Sequence, residues 1–153
     1  MSIAPIVRAV EVKAGPARAF DLFTANMGLW WPRSFSIAPA PQASVHLEPR
    51  EGGRWFERDE AGGETDWGRV LVWDPPSRLV LAWQITARWS FDPDLVTEVE
   101  LAFEPAGEGR TRVTLEHRNL ERFGADAEAV AGHLGGGWQK PLDLFAQLVE
   151  THP

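Results

Sequence analysis

The chain has no cysteine and no tyrosine, and its 153 residues include only four histidines and two methionines. Without cysteine there is no disulfide, no thiol nucleophile and no thiolate metal site. The histidines, His46, His117, His133 and His152, fall in no HExxH or other short ligand spacing, so neither a metal centre nor any other cofactor is expected. No GxSxG element offers a serine nucleophile. The glycine clusters do not follow a strand and open a helix as a dinucleotide-binding turn would. Long apolar runs are missing as well, and none approaches the roughly 20 residues that a bilayer-spanning helix needs. Positive charge is in deficit: 15 Lys plus Arg stand against 22 Asp plus Glu, for a net charge of −7. That balance favours solubility and disfavours a nucleic-acid backbone as partner. The opening "MSIAPIVRAVEV" has neither the charged start nor the long apolar stretch of a signal peptide, so a cytoplasmic protein is expected.

What is present is an ordinary globular composition, 44% hydrophobic and 24% charged, with aromatic character concentrated in eight tryptophans and eight phenylalanines. One domain over residues 1–153 is expected. A chain of this size buries about 68–70% of its unfolded surface, so it needs no staple. The alternation predicts a first strand over Ile3–Lys13. Gly15-Pro16 then opens a helix with buried Phe20 and Phe23, and "ANMGLWWP" reads as a second short helix stopped by Pro32. Ser34–Gln42 reads as a long loop.

Six strands follow: Ala43–Glu48, Gly53–Asp59, Thr65–Asp74, Arg78–Ile85, Leu95–Glu104 and Arg110–Arg118. Their connectors carry Pro, Gly and Asp turn chemistry, which implies antiparallel hairpins. A stripe of Val130, Leu134, Trp138, Leu142, Phe145 and Val149 predicts a long helix from about Asp126 to Glu150. "GGGWQKP" should kink or restart it, because Pro141 lacks the N–H that would bond to the carbonyl of Gly137. The sum is an α+β fold, a curved antiparallel sheet of about six or seven strands gripping one long C-terminal helix, with two short helices after the first strand.

With "PREGGRWFE", "DWGRVLVWDPPSRLVLAWQI", "DPDLVTEVELAFEP", "TRVTLEHRNLERFG" and "GGWQKPLDLFAQL" in this order, the chain resembles the START-like (SRPBCC) superfamily with its helix-grip fold. Within it the resemblance is to the branch named after the C-terminal domain of the activator of the heat-shock chaperone ATPase. That resemblance implies a cavity between sheet and helix which in other members holds lipids, sterols, polyketides or plant hormones. It also admits cyclase-type relatives, and relatives that contact a chaperone beside a separate domain for which this chain has no room.

Several side chains are candidates for such a site. Trp30, Trp31 and Phe35 border the long loop, and Trp89 and Phe91 lie between two strands; both places are candidate cavity mouths. Trp83 follows Leu79 and Leu81 by parity, and Trp138, Leu142 and Phe145 lie on the helical stripe, so all four face inward. Trp55 and Glu57 share one strand face, which of the two faces being open, and Arg69 or Arg88 would be the partner of Glu57 if it is buried. His117 shares parity with Val113 and Leu115. It is either a hydrogen-bonded core histidine or, with Glu57, a candidate catalytic acid or base. Trp67 and Trp73 share parity with Arg69 and are expected on the outer face or a sheet edge, where they would form a docking or dimer patch. The function expected is binding of a small hydrophobic molecule, lipid-like or aromatic. Alternatives are a cyclase or hydratase using the same cavity and a chaperone-interaction module.

Overall fold

The alternating segments pair into one sheet. In the computed structural model, which describes residues 3–151, the strands are β1 (Ile6–Val12), β2 (Gln42–Leu47), β3 (Arg54–Asp59), β4 (Glu64–Asp74), β5 (Arg78–Trp83), β6 (Thr97–Pro105) and β7 (Thr111–Arg118). All neighbours are antiparallel, in the order β1-β7-β6-β5-β4-β3-β2. After β1 the chain crosses to the far edge through α1 (Pro16–Thr24) and α2 (Met27–Trp30), then returns strand by strand until β7 lies beside β1. Pro16 opens α1 from an extended Gly15. Phe20 and Phe23 of α1 set their rings against Phe103 of β6 at 5.1 and 5.6 Å. α2 stops because Trp31 precedes a proline and is driven to the extended region, with φ −65° and ψ 132°.

A 3-10 segment, Leu120–Asp126, leads into α3 (Ala127–Gly137), and α4 (Gln139–Thr151) follows. The restart expected near Gly137–Pro141 falls on Trp138. Its backbone stays helical, at φ −69° and ψ −27°, and its N–H donates to the carbonyl of Leu134 at 3.0 Å. The two helices are thus joined by one residue. Leu142, Phe145 and Val149 of α4 are completely covered, and Phe145 meets Phe23 and Trp30 at 5.2 and 5.4 Å. His152 lies outside the described residues.

Register corrects one expectation. Trp55 pairs with Gly68 but Phe56 pairs with Asp66, so Trp67 is an extra residue in β4. Val70 pairs with Leu81 but Val72 with Val80, so Leu71 is a second. Each bulge reverses the alternation. Trp67 and Trp73 therefore turn toward the helices: Trp67 is buried, and the Trp73 ring meets Phe20 at 5.1 Å. The outer-face patch inferred from Arg69 does not exist. On β3 it is Trp55 and Glu57 that face inward, while Phe56 lies outside between His46, at 5.1 Å, and the Arg54 guanidinium, at 4.0 Å. The wet face also carries Arg118 among Glu98, Glu100 and Glu116. These half-exposed pairs contribute little each.

Candidate functional site

Between the sheet and the joint of α3 with α4 lies a cavity of about 310 Å³. Its walls come from four places. The loop after α2 supplies Trp31, Ser34, Phe35, Ser36 and Ile37; the sheet supplies Trp67 and Trp83, continued by Ile85. The turn beyond β5 adds Trp89, and the helices add His133, Leu134, Gly137, Trp138 and Pro141. Six of these are aromatic. Several rings meet edge-on or tilted, with Trp31 at 5.1 Å from Trp67 and Trp83 at 5.4 Å from Trp138, so they brace one another.

The loop is held by two anchors. The Phe35 carbonyl accepts from the Trp31 indole at 2.9 Å and from the Gln42 amide at 3.1 Å. The Glu57 carboxylate, wholly buried, accepts the Ile37 N–H at 2.9 Å, the Trp67 indole N–H at 2.7 Å and the Ser36 hydroxyl. Its partners are thus three hydrogen-bond donors and not an arginine. Arg69 instead reaches Gln84 at 3.4 Å, and Arg88 is exposed on its turn. A buried carboxylate with its oxygens so occupied fixes geometry: it ties the loop to β3 and sets the plane of Trp67 as a wall.

His117 is also fully buried, and both ring nitrogens are used. The Trp138 indole N–H donates to Nδ1 at 3.1 Å, so the proton sits on Nε2 and is given to Thr97 Oγ1 at 2.8 Å. Thr97 in turn donates to the carbonyl of Trp83 at 3.1 Å. Burial pushes the His117 pKa down from 6.5 to about 3. A neutral imidazole whose nitrogens both face protein groups holds Trp138 and Trp83 in place and is not set up to exchange protons with a ligand.

Of the residues read from the sequence, Trp31, Phe35, Trp83, Trp89 and Trp138 line the cavity. Trp30 does not: it packs on Phe23 and Phe145 with its N–H on the Leu22 carbonyl. Trp55 lies beneath the wall, donating to the Met27 sulfur at 3.2 Å. Leu142 and Phe145 belong to the core, and His117 lies behind Trp83 and Trp138. The cavity also takes in Ser34, Ser36, Ile37, Trp67, Ile85, His133, Leu134, Gly137 and Pro141, which the sequence reading did not place there. A signal for Trp67 was available in Gly68, since a glycine inside a strand marks a bulge or a close backbone approach. A Cβ there would lie 1.7 Å from the Ala82 carbonyl oxygen.

Trp89 holds a left-handed backbone, φ 60°, which is rare for a bulky residue, and its ring meets His133 at 5.1 Å. A second hollow of about 260 Å³ lies across this contact and shares Trp83, Ile85, Trp89, His133 and Leu134 with the first. Among the described residues no group of three His, Cys, Asp or Glu side chains could hold a metal ion, and no helix is long and apolar enough to cross a membrane.

Residues 13–150 match the family model described as Activator of Hsp90 ATPase homolog 1-like protein. Among solved structures, the anthrahydroquino-gamma-pyrone synthase Txn09 is 38% identical over 95% of this chain and 97% of its own, with a TM-score of 0.67. CalC, a self-sacrificing resistance protein from Micromonospora echinospora, is 29% identical over 97% of this chain and 96% of its own, with a TM-score of 0.71. The Aha1 dimer from Colwellia psychrerythraea shares the fold, at 16% identity over 97% of each chain and a TM-score of 0.67. No curated protein sequence matches the chain.

Proposed function

The chain belongs to the family of Activator of Hsp90 ATPase homolog 1-like proteins, and on that premise we propose that it binds a compact, flat, fused-ring aromatic molecule in the cavity between sheet and helix. The observation that carries this reading is the wall itself: six aromatic side chains around about 310 Å³, with only Ser34, Ser36 and His133 as polar side chains. Small-molecule sites are apolar clefts of about 300–1,000 Å³ with a few placed polar groups. A cavity at the lower bound suits a short rigid ring system better than a long acyl chain. The relative named for making a fused-ring pyrone and the relative named as a resistance protein both support a small-molecule role. The Trp67–Trp73 surface suggested for a chaperone-interaction module is turned inward, so it lends that reading no support.

Tryptophan fluorescence, titrated with a panel of fused-ring aromatics and of fatty acids, tests the proposal. Saturable quenching by the ring compounds alone is expected. No response to any ring compound, or tighter binding of the fatty acids, overturns it.

A second reading, an enzyme acting on the same ligand, is favoured by the 38% identity to a pyrone synthase over nearly both whole chains. The titratable side chain on the cavity wall is then His133, not the sealed His117. Loss of turnover in His133→Gln with binding retained would support that reading, and turnover surviving in that variant would end it.

A further inference from the structure

Five of the eight tryptophans give their indole N–H to a protein acceptor: Trp30, Trp31, Trp55, Trp67 and Trp138. Of the other three, Trp73 lies on the side of α1, and Trp89 is 44% exposed and open to water. Trp83 is different. It is only 6% exposed, packed by Trp55, His117 and Trp138, and its N–H has no acceptor among the described residues. Yet none of those residues holds a side-chain nitrogen or oxygen sealed from solvent without a partner. The Trp83 N–H therefore reaches accessible space, and the spaces that Trp83 borders are the two adjoining hollows.

From this we infer that Trp83 is the specificity donor of the site, and that the ligand carries a carbonyl-type acceptor to which the Trp83 indole N–H donates at the seam between the two hollows. The inference rests on the binding reading above and narrows it from fused-ring aromatics to fused-ring ketones, quinones and pyrones. A donor in an apolar wall loses its water when a ligand enters, and it then needs an acceptor from that ligand. A ring system without one leaves the donor unpaired and binds less well. The carbonyl and ring face of Trp83 are already fixed by Thr97 and Trp138, so the direction of the N–H is set before the ligand arrives.

Fluorenone and fluorene give the test, since these planar three-ring molecules differ only at the bridging carbon, a carbonyl in one and a methylene in the other. Equilibrium dialysis of the wild-type chain should show fluorenone held roughly tenfold tighter than fluorene. Trp83→Phe keeps the aromatic wall and removes the donor, so fluorenone should weaken to the level of fluorene while fluorene stays unchanged. A check independent of that variant's folding uses the nitrogen-15 spectrum of the wild type. Fluorenone, and not fluorene, should move the Trp83 indole N–H resonance downfield. Equal affinity of the wild type for both molecules, or a preference that persists in Trp83→Phe, overturns the inference and leaves the binding reading standing. Failure of the wild type to bind either molecule removes both.

Discussion

Protonating His117 should destabilise this protein from within. The ring is neutral because burial strips the charged form of water, and a proton on Nδ1 would also face the Trp138 indole N–H that points there. The folded pKa lies near 3, against 6.5 for the free side chain. The unfolded chain therefore binds a proton that the folded chain refuses, between pH 6.5 and about 3. The folded pKa is the lower one, so this contribution to stability is fully present above pH 6.5 and is lost as pH falls toward 3. The slope approaches about 1.4 kcal/mol per pH unit, which amounts to about 2 kcal/mol between pH 7 and pH 5. Urea unfolding of the wild type and of His117→Gln at pH 7, 6 and 5 measures it. The variant, with an amide that cannot titrate, should be less stable at pH 7 by about 1–3 kcal/mol. Its loss between pH 7 and 5 should be smaller than that of the wild type by about 2 kcal/mol. Parallel pH dependences in the two proteins would refute the reasoning, because His117 would then be free to charge in the fold.

Four further outcomes follow from other sites. Glu57→Gln puts an NH2 group where three donors converge, so it should cost about 1–3 kcal/mol and speed hydrogen exchange at the Ile37 amide; unchanged exchange there would show that the carboxylate does not hold the loop. Gly68→Ala should prevent folding or destabilise it severely, by about 3 kcal/mol or more, since its Cβ would overlap the Ala82 carbonyl. Gly132→Ala, on an exposed turn of α3 with open space around the new Cβ, should instead add about 0.5–1 kcal/mol in thermal or urea melts. Trp89→Gly relieves the left-handed backbone while deleting a half-exposed ring, so stability should stay within about 1 kcal/mol while fused-ring affinity falls in dialysis.

The architecture was readable because its signals are local. "DPPS" and "PAGEG" mark hairpins, Val99, Leu101 and Phe103 mark one sheet face, and Pro141 marks the joint at Trp138. The site was less readable because it depends on departures from those rules. Two bulges, at Trp67 and Leu71, reversed the alternation that had placed Trp67 and Trp73 outside. Parity turned His117 inward and grouped Glu57 with Trp55 on one strand face without saying which face is buried, and parity is silent on partners. The groups that meet them are Trp138, Thr97, Trp67, Ser36 and Ile37, and the nearest of these in the chain is 10 residues from its partner. Helical periodicity found Trp138 on the buried stripe but passed over His133 and Gly137, which reach the cavity from the flank of that stripe.

The indole cluster has an optical consequence. Trp31 touches Trp30, Trp55, Trp67 and Trp138 at ring distances of 5.1 to 6.2 Å, and Trp83 touches Trp55 and Trp138. Chromophores this close exchange excitation faster than they emit, and their transition dipoles couple. Six of the eight tryptophans therefore behave as one antenna, whose circular dichroism overlaps the backbone signal and whose emission drains to whichever ring lies lowest in energy. A ligand that quenches any one of them dims the whole cluster.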